Sequence, residues 1–292
     1  MIDLALMISE QALLYFPLIL GSYISFSLLK VPDLSIETAY ICGAILSAFS
    51  MHYIIHLPWF VALFVIILIS MLAGASVGIM SSLLTQYLAI PHLLSTIITT
   101  GIFHGIHQLI AGVYVSLSHY PSLVYSSLIP LHPELPVLGI LFVMLVLLAA
   151  YLFSTQLGYC FVIFGINKSF FTHYDISMSY IFICGVALAN ALAGLSGYLV
   201  AQSNGFADIT MGFGKILLCV TALILGSLFQ RQTFSVLNPV LGMWLYFIIQ
   251  QLLLKGGFNL RYFTMVQSII VLIIMLVRYI THKNKQNDYL GL

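Results

Sequence analysis

Apolar residues run along this chain in blocks long enough to cross a lipid bilayer, and polar residues are confined to the short breaks between them. Candidate spans cover residues 10 to 30, 36 to 54, 59 to 80, 92 to 113, 136 to 157, 178 to 201, 212 to 229, 235 to 254 and 262 to 280. Each is close to the roughly 20 residues that a helix needs for a hydrocarbon core about 30 Å thick. Pro32, Pro58, Pro91 and the cluster Pro130, Pro133 and Pro136 punctuate these blocks, as helix breakers should. No alternation of apolar and polar residues runs along them, which excludes a β-barrel. The pattern predicts an all-α polytopic membrane protein, a bundle of about 8–10 transmembrane helices.

The most informative break is Gly165-Ile166-Asn167-Lys168-Ser169-Phe170-Phe171-Thr172-His173-Tyr174-Asp175-Ile176-Ser177. It is helix-sized, polar and set between two long spans. Read as an amphipathic helix, it offers Phe170, Phe171 and Tyr174 as hydrophobic anchors and Lys168 and Asp175 as orienting charges for a soluble partner. Packed interfaces shift as rigid units, so such a helix can pass a partner's motion to the spans on either side. The plainer reading is an ordinary polar loop.

Composition narrows the class. With 62% hydrophobic residues, 6% charged and a mean hydropathy of +1.12, the chain is not a soluble domain, where about a quarter of residues carry charge. The net charge of +1 is spread over span ends and gives nucleic-acid binding no support. Arg278, Lys283 and Lys285 place the C-terminus in the cytoplasm, with a basic tail over residues 281–292. Counting back puts 165–177 inside with Lys30, Lys168 and Arg231, and leaves Lys215, Lys255 and Arg261 outside, an excess of six to three. The loop from Tyr114 to Pro136 then faces outward, as does the N-terminus if all nine segments cross. No Lys or Arg precedes Lys30, so the first segment is expected to stay as an uncleaved span. Residues 1–292 read as a single transmembrane domain. Cys42, Cys160, Cys184 and Cys219 lack metal or redox spacing and read as packing residues.

Ionisable groups in or near the apolar zone are Glu10, Asp33, Glu37, His104, His107, Asp208 and Lys215. A charge at mid-bilayer costs on the order of 3 kcal/mol, so these are candidates to face a lumen or a partner. Glu37 has two compatible readings, a pathway residue or a carboxylate favoured by the positive end of its own helix, which Asp33 or Ser35 would cap. His104 and His107 share a helical face with Gln108 beside them, and without further ligands they read as a polar stripe rather than a metal site. Gly194-Leu195-Ser196-Gly197 has the GxSG form of intramembrane serine proteases. The only later histidine is His282 in the tail, so the motif reads as a small-residue packing ridge. Gly74 with Gly78, and Gly101 with Gly105, form two further ridges. Gly212-Phe213-Gly214-Lys215-Ile216 fails as a phosphate loop, which would need glycine at 209 and a hydroxyl at 216 where this chain has Ile209 and Ile216. No catalytic, cofactor-binding or metal residue is expected, and any ATP hydrolysis belongs to another polypeptide.

Several stretches together resemble one family. They are Pro32-Asp33-Leu34-Ser35-Ile36-Glu37, Ala89-Ile90-Pro91 with Leu93-Leu94, Gly165 and Asn167, Asn190 to Gly197, Ala201-Gln202, Gly205 to Ile209, Met211-Gly212 and Gly226. In order and spacing they are similar to bacterial ABC-importer permeases of the branched-chain amino acid and ribose permease superfamily, in the group paired with tryptophan- or tyrosine-type binding lipoproteins. The resemblance implies a type II importer fold in the bacterial cytoplasmic (inner) membrane. Two permease copies, expected as a homodimer, would enclose a pathway. A cytoplasmic ABC ATPase would engage the coupling helix near 165–177, with Gly165 and Asn167 at its start, and an extracytoplasmic solute-binding protein would deliver the cargo. Residues 202–212 would form a short outer helix near the gate. Glu37, His104, His107, Asn190 and Asp208 make up the candidate pathway set. Ser227 stands where glutamate commonly follows the Gly226 motif, and His104 and His107 occupy a stretch that is more often apolar, so the solute stays open beyond an amino acid or related compound. The competing class is an ion- or proton-coupled secondary transporter, with Glu37, Asp208 or the histidines binding the coupling ion.

Overall fold

A computed structural model describes residues 2–120, 122–124, 134–167, 169–173, 177–229, 235–259 and 262–290, with the backbone alone for residues 2, 3, 172, 173, 229 and 277–290. The elements are α1 (Ile2–Ser22), running on as a π-helical stretch (Tyr23–Leu28), α2 (Ser35–Ile54), α3 (Trp59–Tyr87), α4 (His92–Ala111), β1 (Tyr114–Ser116), α5 (Leu135–Ser154), α6 (Gln156–Ile166), α7 (Ser169–His173), α8 (Met178–Asn204), β2 (Phe206–Asp208), α9 (Lys215–Phe229), α10 (Leu237–Lys255) and α11 (Phe263–Leu290). Every predicted span is a helix. Among the described residues, six helices are long and apolar enough to cross a membrane, namely α1 with its π-helical extension, α3, α4, α5, α8 and α10. The all-α polytopic expectation is thereby borne out.

The bundle is organised around α2, which packs against α3, α4 and α8. Most of α2 is buried, so it does not need the apolar girth of a lipid-facing span. Its packing depends on missing side chains. A β-carbon on Gly43 of α2 would overlap the backbone of Gly194 on α8, one on Gly197 would overlap the Tyr40 carbonyl, and one on Gly74 of α3 would overlap the Asn190 carbonyl. Without a hydrophobic force between helices in lipid, such close backbone approach is the main source of association. The GxSG stretch is therefore a packing ridge, with Ser196 Oγ donating to the Leu14 carbonyl at 2.8 Å. The Gly74–Gly78 ridge packs on α8, whereas Gly101 and Gly105 meet nothing within 4 Å. The second predicted ridge thus makes no helix contact inside this chain, because α4 turns Ser95, Thr96, Thr99 and His107 inward and leaves its glycines on the open face.

Two turns aim chain into the centre of the bundle. Lys30 (φ 54°) and Ala89 (φ 52°) each adopt the left-handed conformation two residues before a proline, Pro32 and Pro91. Residues other than glycine take that conformation only where their surroundings impose it. One turn delivers Asp33 and the other delivers His92.

One end of the bundle gathers Gln86 at the end of α3, which accepts from Ser179 Oγ at 2.9 Å, and Gly165 of α6, packed against the Leu28 carbonyl. The segment predicted to couple to a partner lies at this end, the same end as Lys30. Among the described residues, Gly165 and Ile166 finish α6, Ser169–His173 form α7, and α8 starts at Met178, so the segment is not one continuous helix. Lys168, Tyr174 and Asp175 lie outside the described residues. The separate helix α6 was not expected: at the polar run Ser154-Thr155-Gln156 the backbone turns extended at Thr155 (ψ 167°), and Gly158 lets α6 fold tightly against Phe153.

At the opposite end β1 and β2 pair antiparallel, Tyr114 opposite Asp208, and Trp59 Nε1 donates to the Leu123 carbonyl at 2.9 Å. Residues 202–212 are therefore not a short helix: α8 runs to Asn204, Gly205 turns the chain at φ 75°, and a strand and turns follow. Pairing with β1 supplies the backbone partners that a helix would have made internally. The region read as a basic tail continues α11 as helix to Leu290.

Candidate functional site

The two inward turns meet in a buried polar cluster. Asp33, wholly buried, accepts through Oδ1 from the Ser35 N–H at 2.8 Å and from Ser35 Oγ at 2.5 Å. This is a local Asx contact just ahead of α2, whose N-cap position is Leu34 and carries no side-chain cap, so the capping expected of Asp33 is replaced by a bond to the first helical residue. Its other oxygen, Oδ2, accepts from Asn190 Nδ2 at 2.7 Å, and Asn190 Nδ2 also donates to the Val186 carbonyl at 2.9 Å. His92 Nε2 stands 4.0 Å from Asp33 Oδ1, and His92 Nδ1 is held by Thr85 Oγ1 at 3.0 Å. Thr85 Oγ1 also meets Ser95 Oγ at 2.5 Å. The cluster joins the starts of α2 and α4 to the flanks of α3 and α8. Asn190 lies eleven residues along α8 from Ser179, about 16 Å at roughly 1.5 Å per residue, so this carboxylate sits deep in the bundle.

One turn further along α2, Glu37 faces the other way. Its Oε1 accepts from the Ile216 N–H at 3.0 Å, with the N–H groups of Gly214 and Lys215 also engaged. Glu37 thus caps the start of α9 across space, and not the helix it belongs to. This favours it through the helix dipole and the otherwise unpaired N–H groups. Beside it opens a cavity of about 310 Å³, lined by Glu37, Thr38 and Ile41 of α2, Thr100, His104 and His107 of α4, and Ile209, Thr210, Gly212 and Phe213 of the turn before α9. Thr38 Oγ1 donates to Thr100 Oγ1 at 3.0 Å across its wall. His107 is 2% exposed with Nε2 unpartnered, while His104 is exposed.

Three of the five candidate pathway residues, Glu37, His104 and His107, therefore converge on one cavity. Asn190 does not line it and instead holds Asp33. Asp208 does not line it either: its Oδ1 accepts from the Thr210 N–H and Oγ1 at 2.7 and 2.9 Å, fixing the turn after β2. Asp33 was expected both as a cap and among the groups that face a lumen or a partner, and His92 was not singled out, although Ala89-Ile90-Pro91 ahead of it matches Lys30-Val31-Pro32 ahead of Asp33. It also passed over Glu134, which is 3% exposed at the start of α5. Burial pushes the Glu134 carboxyl up from its ordinary range, a hydrogen bond with Ser203 opposes this, and Glu10 beside it adds to the rise.

In the proposed coupling segment, Asn167 Oδ1 accepts from the Ser169 N–H at 3.1 Å and from Ser169 Oγ at 2.5 Å, starting α7. Phe171 is not the outward anchor it was expected to be. It is wholly buried, 6.3 Å from the Phe164 ring, because the short α7 folds back on α6. Phe170 keeps part of its surface, and Ile166, which sequence reasoning did not single out, is 68% exposed.

The family described as branched-chain amino acid transport system / permease component matches residues 4–275. An uncharacterized protein, RP368, of Rickettsia prowazekii (strain Madrid E) is 29% identical over 258 residues, 86% of this chain and 89% of that protein. The tyrosine transport system permease protein of Clostridioides difficile (strain R20291) is 31% identical over 230 residues, 78% of this chain and 74% of that one. The autoinducer 2 import system permease protein LsrC of Escherichia coli (strain SMS-3-5 / SECEC) is 26% identical over 177 residues, 60% and 52% of the two chains. No solved structure matches. The family resemblance read from the motifs is borne out, and with a match running from the first helix into the last, the chain belongs to the permease components of branched-chain amino acid transport systems, as a multi-pass membrane protein that serves transport rather than catalysis.

Proposed function

We propose that this permease component imports a small solute, an amino acid or related compound, driven by ATP hydrolysed in a separate ABC ATPase. An extracytoplasmic binding protein delivers the solute, and a second copy of the chain completes the pathway. The permease binds no cofactor directly. The end carrying Lys30 and residues 165–177, together with the C-terminus of α11, faces the cytoplasm of a bacterial inner membrane. The similarity to a tyrosine transport permease and an autoinducer 2 import permease supports the cargo class and direction.

One observation carries the mechanical reading. The α6–α7 elbow leads directly into α8, and α8 holds Asp33 of α2 through Asn190. A closing ATPase would push on the elbow, with Gly165 seated on the Leu28 carbonyl, Asn167 starting α7, and Phe170 and Ile166 giving contact area. Lys168, Tyr174 and Asp175 complete the proposed contact. Displacement of α8 would be passed through Asn190 and Asp33 to α2, and through His92 to α4. Those two helices carry Glu37, Thr38, Thr100, His104 and His107 around the cavity. Packed elements with two discrete arrangements transmit motion in this way.

The test is co-purification with the ATPase. Phe170→Asp is expected to weaken ATPase association roughly thirtyfold, the effect of losing a hot spot of about 2 kcal/mol, while normal amounts of permease stay in the membrane. Phe171→Asp is expected to reduce folded permease itself, since that side chain is interior. Unchanged ATPase recovery with both Phe170→Asp and Ile166→Asp would reject the elbow as the docking point.

A further inference from the structure

A second polar cavity, of about 210 Å³, lies next to the first and shares Phe213 with it. By the ~30 Å³ that a water occupies in the liquid, it has room for about seven waters, or a small organic solute. At its wall is Lys215, whose Nζ donates to Tyr15 Oη at 2.9 Å and lies 4.6 Å from the centre of the Tyr15 ring. No carboxylate among the described residues comes within 4.0 Å of that ammonium, and Glu37 is engaged by the N–H groups of α9. Glu37 acts on this ammonium through space without a hydrogen bond, and among the described residues Tyr15 Oη accepts one of its three N–H groups, which leaves donors for a ligand in the cavity.

The other wall also holds unused polar atoms. Gln267 is 4% exposed, and its amide bonds to Tyr246 Oη through one atom and leaves the other unpartnered; Oε1 of Gln250 is likewise buried and unpartnered. Between the ammonium and these amides the lining is aromatic, from Tyr15, Phe247 and Phe263, with Tyr15 and Phe247 stacked at 5.6 Å. Buried amides left unpaired in a folded protein call for an explanation, and a ligand that pairs with them supplies one.

We propose that this cavity holds a small amino acid, with its carboxylate on Lys215, its ammonium on the amide oxygens of Gln250 and Gln267, and its side chain against the aromatic wall. The assignment rests on the import reading above, and extends it by placing a solute station in the permease itself. The same ammonium would also attract a lipid phosphate, and the experiment separates the two sources.

The purified full-length chain is placed in phosphatidylcholine nanodiscs, and binding of labelled L-tyrosine, L-phenylalanine and L-tryptophan is measured. At least one is expected to bind saturably. Its decarboxylated amine should bind at least tenfold more weakly to the unmodified protein, a comparison that needs no variant. Lys215→Met is expected to lower affinity at least tenfold, and Lys215→Arg to keep it within about threefold. The inference is overturned if none of the three amino acids binds, if the amine binds as well as its parent acid, or if added phosphatidylglycerol displaces the amino acid only when Lys215 is present, which would make this a lipid site. Loss of this inference leaves ATP-driven uptake by the assembled transporter unaffected, whereas failure of the import reading would appear in uptake and leave nanodisc binding intact.

Discussion

Leucine at Gly43 or Gly194 is expected to leave almost no folded permease in the membrane. The β-carbon alone would overlap opposing backbone, Gly194 in the first case and the Ser70 carbonyl in the second, and backbone cannot move aside as a long side chain can. Overpacking a well-filled site typically costs about 1–3 kcal/mol for extra methylenes, and forcing a full leucine into a backbone contact costs more. Total stabilities are of order 5–15 kcal/mol, so the α2–α8 crossing would be lost in the first case and the α3–α8 crossing in the second. Alanine at either position should give a graded defect. Leucine at Gly101 or Gly105 should extract normally, because those positions meet nothing within 4 Å in the chain. The amount of monodisperse protein recovered in detergent checks all six variants. Equal recovery of the Gly43 and Gly101 leucine variants would contradict the packing described here.

The second large effect belongs to the buried carboxylate. Asp33→Ala would leave one Asn190 amide hydrogen and the Ser35 N–H without their acceptor; Asn190→Ala would leave a buried carboxylate short of a donor. Losing a buried hydrogen bond to a charged group costs about 1.5–3 kcal/mol. Because the two residues act on each other, the double variant is expected to melt no lower than the worse single one. Melting temperatures in detergent test this, and strictly additive losses would show that the two residues stabilise the fold independently. Asp33→Asn should be intermediate: its oxygen can still accept, but its amide would face the Asn190 amide donor to donor.

Much of the architecture was legible because bilayer thickness imposes a length on each apolar block, and prolines and charges collect at the breaks. Helix α6 escaped because the polar run Ser154-Thr155-Gln156 reads equally well as the end of one span and as a change of direction between two helices. Residues 202–212 were read as helix because their strand pairing with Tyr114–Ser116 depends on a partner about 90 residues away in sequence. For the site, helical spacing already placed His104 and His107 together. Asp33 looked like any cap, since a local Asx contact reads the same whether the helix start lies at the surface or deep in a bundle. Its burial depends on Asn190, 157 residues later. Glu37 does stand in the first turn of its own helix, as its spacing suggested, but the N–H groups it accepts from are those of α9, which the sequence places about 180 residues away.

On the function proposed above, a separate ATP-hydrolysing motor opens and closes this bundle. Reconstitution of the permease with its ATPase and binding protein in sealed vesicles, followed by labelled amino acid uptake, tests that directly. Uptake should require ATP on the side of residues 165–177 and persist when a protonophore removes ion gradients. Uptake that survives without ATP and collapses with the protonophore would contradict the account and identify an ion-coupled transporter instead.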